Sequence, residues 1–220
     1  MKEGQGLKKR NGGFTLVELM VVLSIFTLLL VIIVPSLNSI LGFRVQKATN
    51  SIGAALNQTK IEASSRLVGA MKLEYRSNDG YYISYILDRG KVEVNGEDII
   101  KVDQNEKKIA SAKTIISYFV GGQEKFLDAS RGESDSNAIV ITYNRATGAF
   151  LPLMQTTGWE TFSVLKVVEK PHGNNSYLSD MQLGSDKFCS KIVVKGGSRT
   201  RTITLMQDTG KYKITAGETN

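Results

Sequence analysis

The sequence predicts an α+β protein, with a long N-terminal α-helix packed on an antiparallel β-sheet or sandwich head. Three observations predict it. A nearly uncharged run at 14–34 is followed by an apolar stripe at helical spacing. From residue 70 onward, short aliphatic and aromatic runs alternate with Gly, Asn and Asp turn signals. The composition is that of an ordinary folded chain, 220 residues at 41% hydrophobic and 22% charged, which excludes a wholly disordered or collagen-like protein. By length this is one domain, with room for a second only if both are small.

The first element is a basic leader. Residues 1–13, MKEGQGLKKRNGG, set Lys2, Lys8, Lys9 and Arg10 against Glu3 alone. Next comes FTLVELMVVLSIFTLLLVIIV at 14–34, whose single charge is Glu18. As a helix this run reaches roughly 32 Å, the thickness of a bilayer's hydrocarbon core. The cations before it keep the leader cytoplasmic and send the rest outward. A secretory signal peptide would have a shorter core and a small-residue cleavage site, whereas this run ends in IIVPSLN. A lipoprotein signal would need a cysteine at the cut, and Cys189 stands alone far downstream. A plain anchor leaves Glu18 unexplained, because a carboxylate in the membrane costs about 2.5–3.5 kcal/mol even on a lenient scale. Gly12 and Gly13 form a flexible pair where an extended backbone could enter a protease. Cutting after Gly13 would free an amino group on Phe14. Glu18 of one subunit could then neutralise the amine of the next, if parallel helices were staggered.

The stretch G-F-T-L-V-E-L-M-V-V-L-S-I, behind a basic leader, resembles the type IV prepilin signal. The likeness spans about residues 8–36, with Pro35 standing where many pilins carry a helix-bending proline. It implies cleavage between Gly13 and Phe14 by a prepilin peptidase and N-methylation of Phe14. Glu18 would then act in assembly, with other pilin or pseudopilin subunits and a membrane assembly platform as partners. It also implies a single-pass protein of the cytoplasmic membrane, held in the lipid bilayer before it enters a pilus or pseudopilus, and a pilin-like fold.

After Pro35 the pattern turns amphipathic. Leu41, Val45, Ala48, Ile52, Ala55, Thr59 and Ala63 fall on one helical face, with Arg44, Gln46, Lys47, Asn50, Asn57, Lys60 and Glu62 on the other. Gly69 is the expected stop. One helix over 14–68 is predicted, on the order of 80 Å long, with 14–34 as membrane or filament-core half and 35–69 as amphipathic continuation. Residues 70–220 form the expected extracytoplasmic head. Strands are predicted at 71–76, 81–87, 91–94, 99–102, 114–120, 138–143, 149–154, 162–168, 191–195, 200–206 and 211–215. A polar linker is expected between 102 and 114, and long loops at 121–137 and 169–187. The helix end at 61–68, the hairpin I-V-I-T-Y-N-R-A-T-G and the terminal R-T-I-T-L-M-Q-D-T-G-K-Y-K-I are similar to GspH/FimT-like minor pilins and pseudopilins. Many major pilins close a C-terminal loop with a disulfide. A lone cysteine cannot, which favours a minor subunit.

Catalytic signatures are missing: there is no phosphate loop, H-E-x-x-H, G-x-S-x-G or nucleotide fingerprint. No enzyme activity, cofactor or metal is expected. His172 lies in a loop composition, and Cys189 beside a strand reads as a small apolar residue. Asp128, Glu133 and Asp135 lack calcium-loop spacing and read as a solvated acidic loop. Charge is uneven. The chain is +7 overall, and Lys187, Lys191, Lys195, Arg199, Arg201, Lys211 and Lys213 face only Asp208 within 187–213. That segment could attract DNA phosphates, and some FimT-like minor pilins bind DNA. The alternatives to a structural subunit are therefore a minor pilin whose basic head binds DNA for uptake, and a single-pass membrane protein that never assembles.

Overall fold

Helix α1 runs from Leu16 to Ser65. Thr15 starts it: the Leu19 N–H donates to the Thr15 carbonyl at 3.1 Å, and the Glu18 N–H donates to Thr15 Oγ1 at 3.2 Å. A threonine hydroxyl in this position satisfies one of the orphan donors of a helix N-terminus. The computed structural model describes residues 15–66, 69–94, 97–156, 161–163 and 182–217, except for the side chains of 32, 34–41, 88–104 and 161–163. Through Pro35 the helix is uninterrupted. It closes at Ser65, short of the expected 68, and Gly69 opens the first strand instead of stopping the helix. Space explains the glycine: a Cβ there would lie 2.5 Å from the backbone nitrogen of Ala63. The chain doubles back on the helix end too closely for any side chain.

The chain divides into two compact units, 1–40 and 41–220. The second holds the C-terminal half of α1 and two antiparallel sheets of five strands. Strands β1 (Gly69–Arg76), β2 (Gly80–Val94) and β3 (Glu97–Ser111) lie side by side, flanked by β6 (Ala138–Thr142) and β7 (Thr161–Ser163), in the order β6-β1-β2-β3-β7. The other sheet is ordered β10-β9-β8-β4-β5. It comprises β4 (Ile115–Val120), β5 (Gln123–Phe126), β8 (Cys189–Gly196), β9 (Arg199–Met206) and β10 (Lys211–Gly217). Among the described residues this is an α+β architecture of one helix and two antiparallel sheets.

One core joins the three layers. Val45, Ala48, Ile52, Ala55 and Leu56 of α1 cluster with Met71, Leu73 and Ile83 of the first sheet and with Ile116, Ile192, Val194 and Ile203 of the second. Burying such side chains removes apolar surface from water at roughly 25 cal/mol per Å². Thr49 and Thr59 reach this core because their hydroxyls donate to the carbonyls of Val45 and Ala55, at 2.8 and 2.7 Å. The Ile116 N–H donates to the Tyr81 hydroxyl at 3.2 Å, tying the sheets together. At the far end of α1, Lys60 donates to the carbonyls of Thr209 and Gly210 at 2.9 and 3.3 Å.

Some predicted elements change. The separate strands at 81–87 and 91–94 are one strand, β2, and the polar linker between 102 and 114 is largely the second half of β3. Its run D-Q-N-E-K-K offers no apolar alternation, because Asn105–Lys108 are all exposed. The pairing with β2 holds it, as Tyr85 opposite Asn105 and Ile83 opposite Lys107. The expected loop at 121–137 contains β5. The expected strand at 149–154 makes only single bridges, Phe150 to Tyr143 and Met154 to Val140 and Gln182. Residues 164–181, with the end of the strand predicted at 162–168, lie outside the described residues.

Candidate functional site

In the unit 1–40, the described part of α1 is an apolar rod. Every described side chain from 15 to 31, and Ile33, is exposed, Leu16 at 74% and Val31 at 72%. A helix apolar on all sides is stable only when something other than water surrounds it. Its hydroxyls are already satisfied within the helix. Ser24 Oγ donates to the Met20 carbonyl at 2.7 Å, and Thr27 Oγ1 lies 3.0 and 2.8 Å from the carbonyls of Leu23 and Ser24. The Glu18 carboxylate, in the first turn, has no partner among the described residues. Among the described residues no helix is long and apolar enough to cross a membrane. Gly13 and Phe14 lie outside the described residues, and of Pro35 only the backbone is described.

The seven cations of the C-terminal segment do not form one surface. Cross-strand pairing aligns Lys213, Thr204, Lys191 and Phe119 in a row across β10, β9, β8 and β4. By the period of two along each strand, Lys195 and Lys211 share that face. Lys191 stands 5.7 Å over the Phe119 ring, and Lys195 pairs with Glu124 at 3.7 Å. Arg199 and Arg201 fall on the opposite face with Ile203 and Leu205, which are buried. Arg199 lies against α1, its Cγ 3.4 Å from where a Cβ on Gly42 would stand. Lys187 sits in the segment before β8, 3.9 Å from Asp186. The alternation R-T-R-T-I-T-L already encodes this split: a strand that buries Ile203 and Leu205 puts both arginines on their side of the sheet, where Arg201 is half-buried and Arg199, at the strand's start, is exposed.

The acidic loop is internally neutralised. Lys125, itself buried, contacts Glu133 and pairs with Asp135 at 3.3 Å, occupying the position a cation would take. Asp128 accepts from Ser130 Oγ at 2.7 Å and from the Ser130 N–H at 3.1 Å. No group of three or more His, Cys, Asp and Glu that could hold a metal occurs among the described residues. Burial pushes the Cys189 thiol up to about 12, so it is inert at neutral pH. His172 lies outside the described residues.

Residues 8–34 match the family described as the prokaryotic N-terminal methylation motif, which is the type IV prepilin and pseudopilin signal. Over this segment the chain is similar to type IV prepilins and pseudopilins, which supports reading it as a pilin-like precursor. No curated protein and no solved structure matches the chain. One feature of the signal lies beside the residues singled out for cleavage and assembly: Thr15, whose spacing to Glu18, T-x-x-E, is a helix-start pattern readable from sequence.

Proposed function

We propose that this protein is a structural subunit of a pilus or type II secretion pseudopilus, entering it as a minor component. The observation that carries the reading is the exposed apolar rod with one unpartnered carboxylate in its first turn, placed directly after the cleavage signal. Cleavage after Gly13 creates an amino terminus at Phe14, to be methylated, beside a helix that starts at Leu16. In lipid the 14–34 segment spans the membrane, leader inside and head outside. In the filament the same surface packs against neighbouring helices, and Glu18 compensates a neighbour's terminal amine. That pairing replaces a lone buried charge, which the apolar surroundings disfavour strongly. The lone Cys189 and the two-sheet head support a minor, GspH/FimT-like subunit. Structural work, not catalysis, is its role.

Intact mass and N-terminal sequencing of the protein from its native cell test the processing. A chain beginning at methylated Phe14 is expected, and one retaining 1–13 would reduce the protein to a membrane-anchored β domain. Glu18→Ala is expected to be processed and membrane-inserted yet lost from sheared filaments. Normal incorporation of that variant would refute the charge-pairing role.

A second reading gives the head a ligand. Lys191, Lys195, Lys211 and Lys213 on one flat sheet face, set among Thr200, Thr202 and Thr204, could hold DNA phosphates. The full-length protein in detergent should then be retained on DNA at low salt and released as salt rises. Lys191→Glu with Lys213→Glu should abolish retention, and Arg199→Ala with Arg201→Ala should not. The reverse pattern would sink this reading.

A further inference from the structure

A groove of about 410 Å³ runs between α1 and the β2–β3 hairpin. Lys47 and Ile109 also line a neighbouring hollow of about 270 Å³ bordered by Arg44. Its floor is apolar, made by Ala55, Ile83 and Ile109, all buried in the core cluster. A β-bulge builds part of that floor. Tyr81 pairs with Ala110 and Tyr82 with Lys108, so Ile109 is an extra residue turned inward beside them.

The rim is polar and unused. Gln46, Asn50, Ser51 and the Tyr85 hydroxyl line the groove, and their side chains have no hydrogen-bond partner among the described residues. Three cations, Arg44, Lys47 and Lys107, border the two hollows, and among the described residues no carboxylate does. Lys47 and Lys107 likewise have no ion-pair partner among the described residues. Other cations of this head are matched, as Lys108 is with Asp79, Arg76 with Glu106 and Lys125 with Glu133, while Lys211 and Lys213 on the far sheet have no ion-pair partner among the described residues. Along α1 the groove extends from Phe43 to Ala55, a rise of roughly 18 Å. That length accommodates about five residues of extended chain.

We propose that this groove is a docking site for an extended acidic segment of polypeptide, one whose apolar side chains alternate with carboxylates. In an extended chain successive side chains point to opposite sides. One set can therefore lie on the Ile83–Ile109 floor while the other meets Lys47 and Lys107 at the rim. The amides of Gln46 and Asn50, one helical turn apart, each offer a donor and an acceptor, the pair that a peptide backbone requires. Nucleic acid fits less well: its charges repeat along the backbone without aliphatic groups to cover the floor. The proposal does not depend on whether the chain enters a filament.

The test uses the full-length protein in detergent micelles and a labelled pentapeptide of alternating glutamate and isoleucine, read by fluorescence anisotropy. The controls are its glutamine and lysine counterparts and an oligothymidylate of five nucleotides. Saturable binding of the acidic peptide alone is expected, weakening with salt and falling about tenfold or more in Lys47→Glu with Lys107→Glu. Both lysines are exposed and unpartnered, so the variant should keep the wild-type melting temperature. Gln46→Ala with Asn50→Ala should weaken binding while leaving its salt dependence intact. Absence of saturable binding, equal binding of the glutamine peptide, tighter binding of the oligothymidylate, or indifference to the lysine reversals would each overturn the proposal.

Discussion

Asp128 shows how much one side chain can organise. It is buried at 5% exposure. Burial alone would raise its pKa, but hydrogen bonds from Ser130, Tyr75 and Arg131 outweigh that and hold the carboxyl below its ordinary 3.8. A group whose folded value is depressed stabilises the fold above the unfolded value, and the contribution is lost as the pH falls through the folded one. Asp128→Asn should therefore lower the thermal midpoint at pH 7, and the gap to wild type should close as the pH drops below 3.8. Thermal unfolding of both proteins from pH 7 to pH 2 checks this; a gap independent of pH would mean that the charge is irrelevant. The sequence shows Asp128 only as one of several acids in a polar loop. What distinguishes it from Glu133 and Asp135 is depth, which depends on Tyr75 arriving from a distant strand.

At the scale of elements, two glycines with similar backbones have different reasons to be glycine. Gly121 (φ 59°) and Gly210 (φ 57°) both adopt the left-handed conformation. A side chain there costs about 1–2 kcal/mol. At Gly121 a Cβ would meet nothing within 4 Å, whereas at Gly210 it would lie 1.8 Å from the Gly148 carbonyl oxygen. Gly121→Ala should cost only the conformational term, and Gly210→Ala clearly more, because backbone must move. Urea titration of both variants measures the difference, and equal losses would show that the approach to Gly148 is loose. Sequence reading places the second turn, Gln207–Gly210, between two strands, but puts Gly121 at the head of a long loop. It cannot tell their steric costs apart: the second turn meets the loop 144–148, more than fifty residues earlier in the chain. The run at Ala138–Thr142 was by contrast legible as a strand, expected at 138–143, although that it is buried at every position was not.

For the whole molecule, the division at Ile40 and Leu41 separates an exposed apolar rod from a unit with its own core. A chain starting at Leu41 should fold in water without detergent and unfold in one cooperative transition, coincident by circular dichroism and tyrosine fluorescence. Within it, Ile52→Ala, at 0% exposure between both sheets, should cost about 2–5 kcal/mol. Non-coincident transitions would show that the head needs residues 1–40 to pack. The processing signal, the apolar run, the amphipathic stripe and most strand positions were set by the sequence alone. Each is a local pattern, written in neighbouring residues with periods of 3.6 or two. Tertiary structure decided the rest: which cations share a face, which acids are neutralised, and that D-Q-N-E-K-K is a strand. It also placed Lys47 and Lys107, sixty residues apart, on one groove without a counter-charge. Those outcomes depend on which strand pairs with which and on what the helix covers. Long-range pairing leaves no periodic trace in the sequence from which to read them.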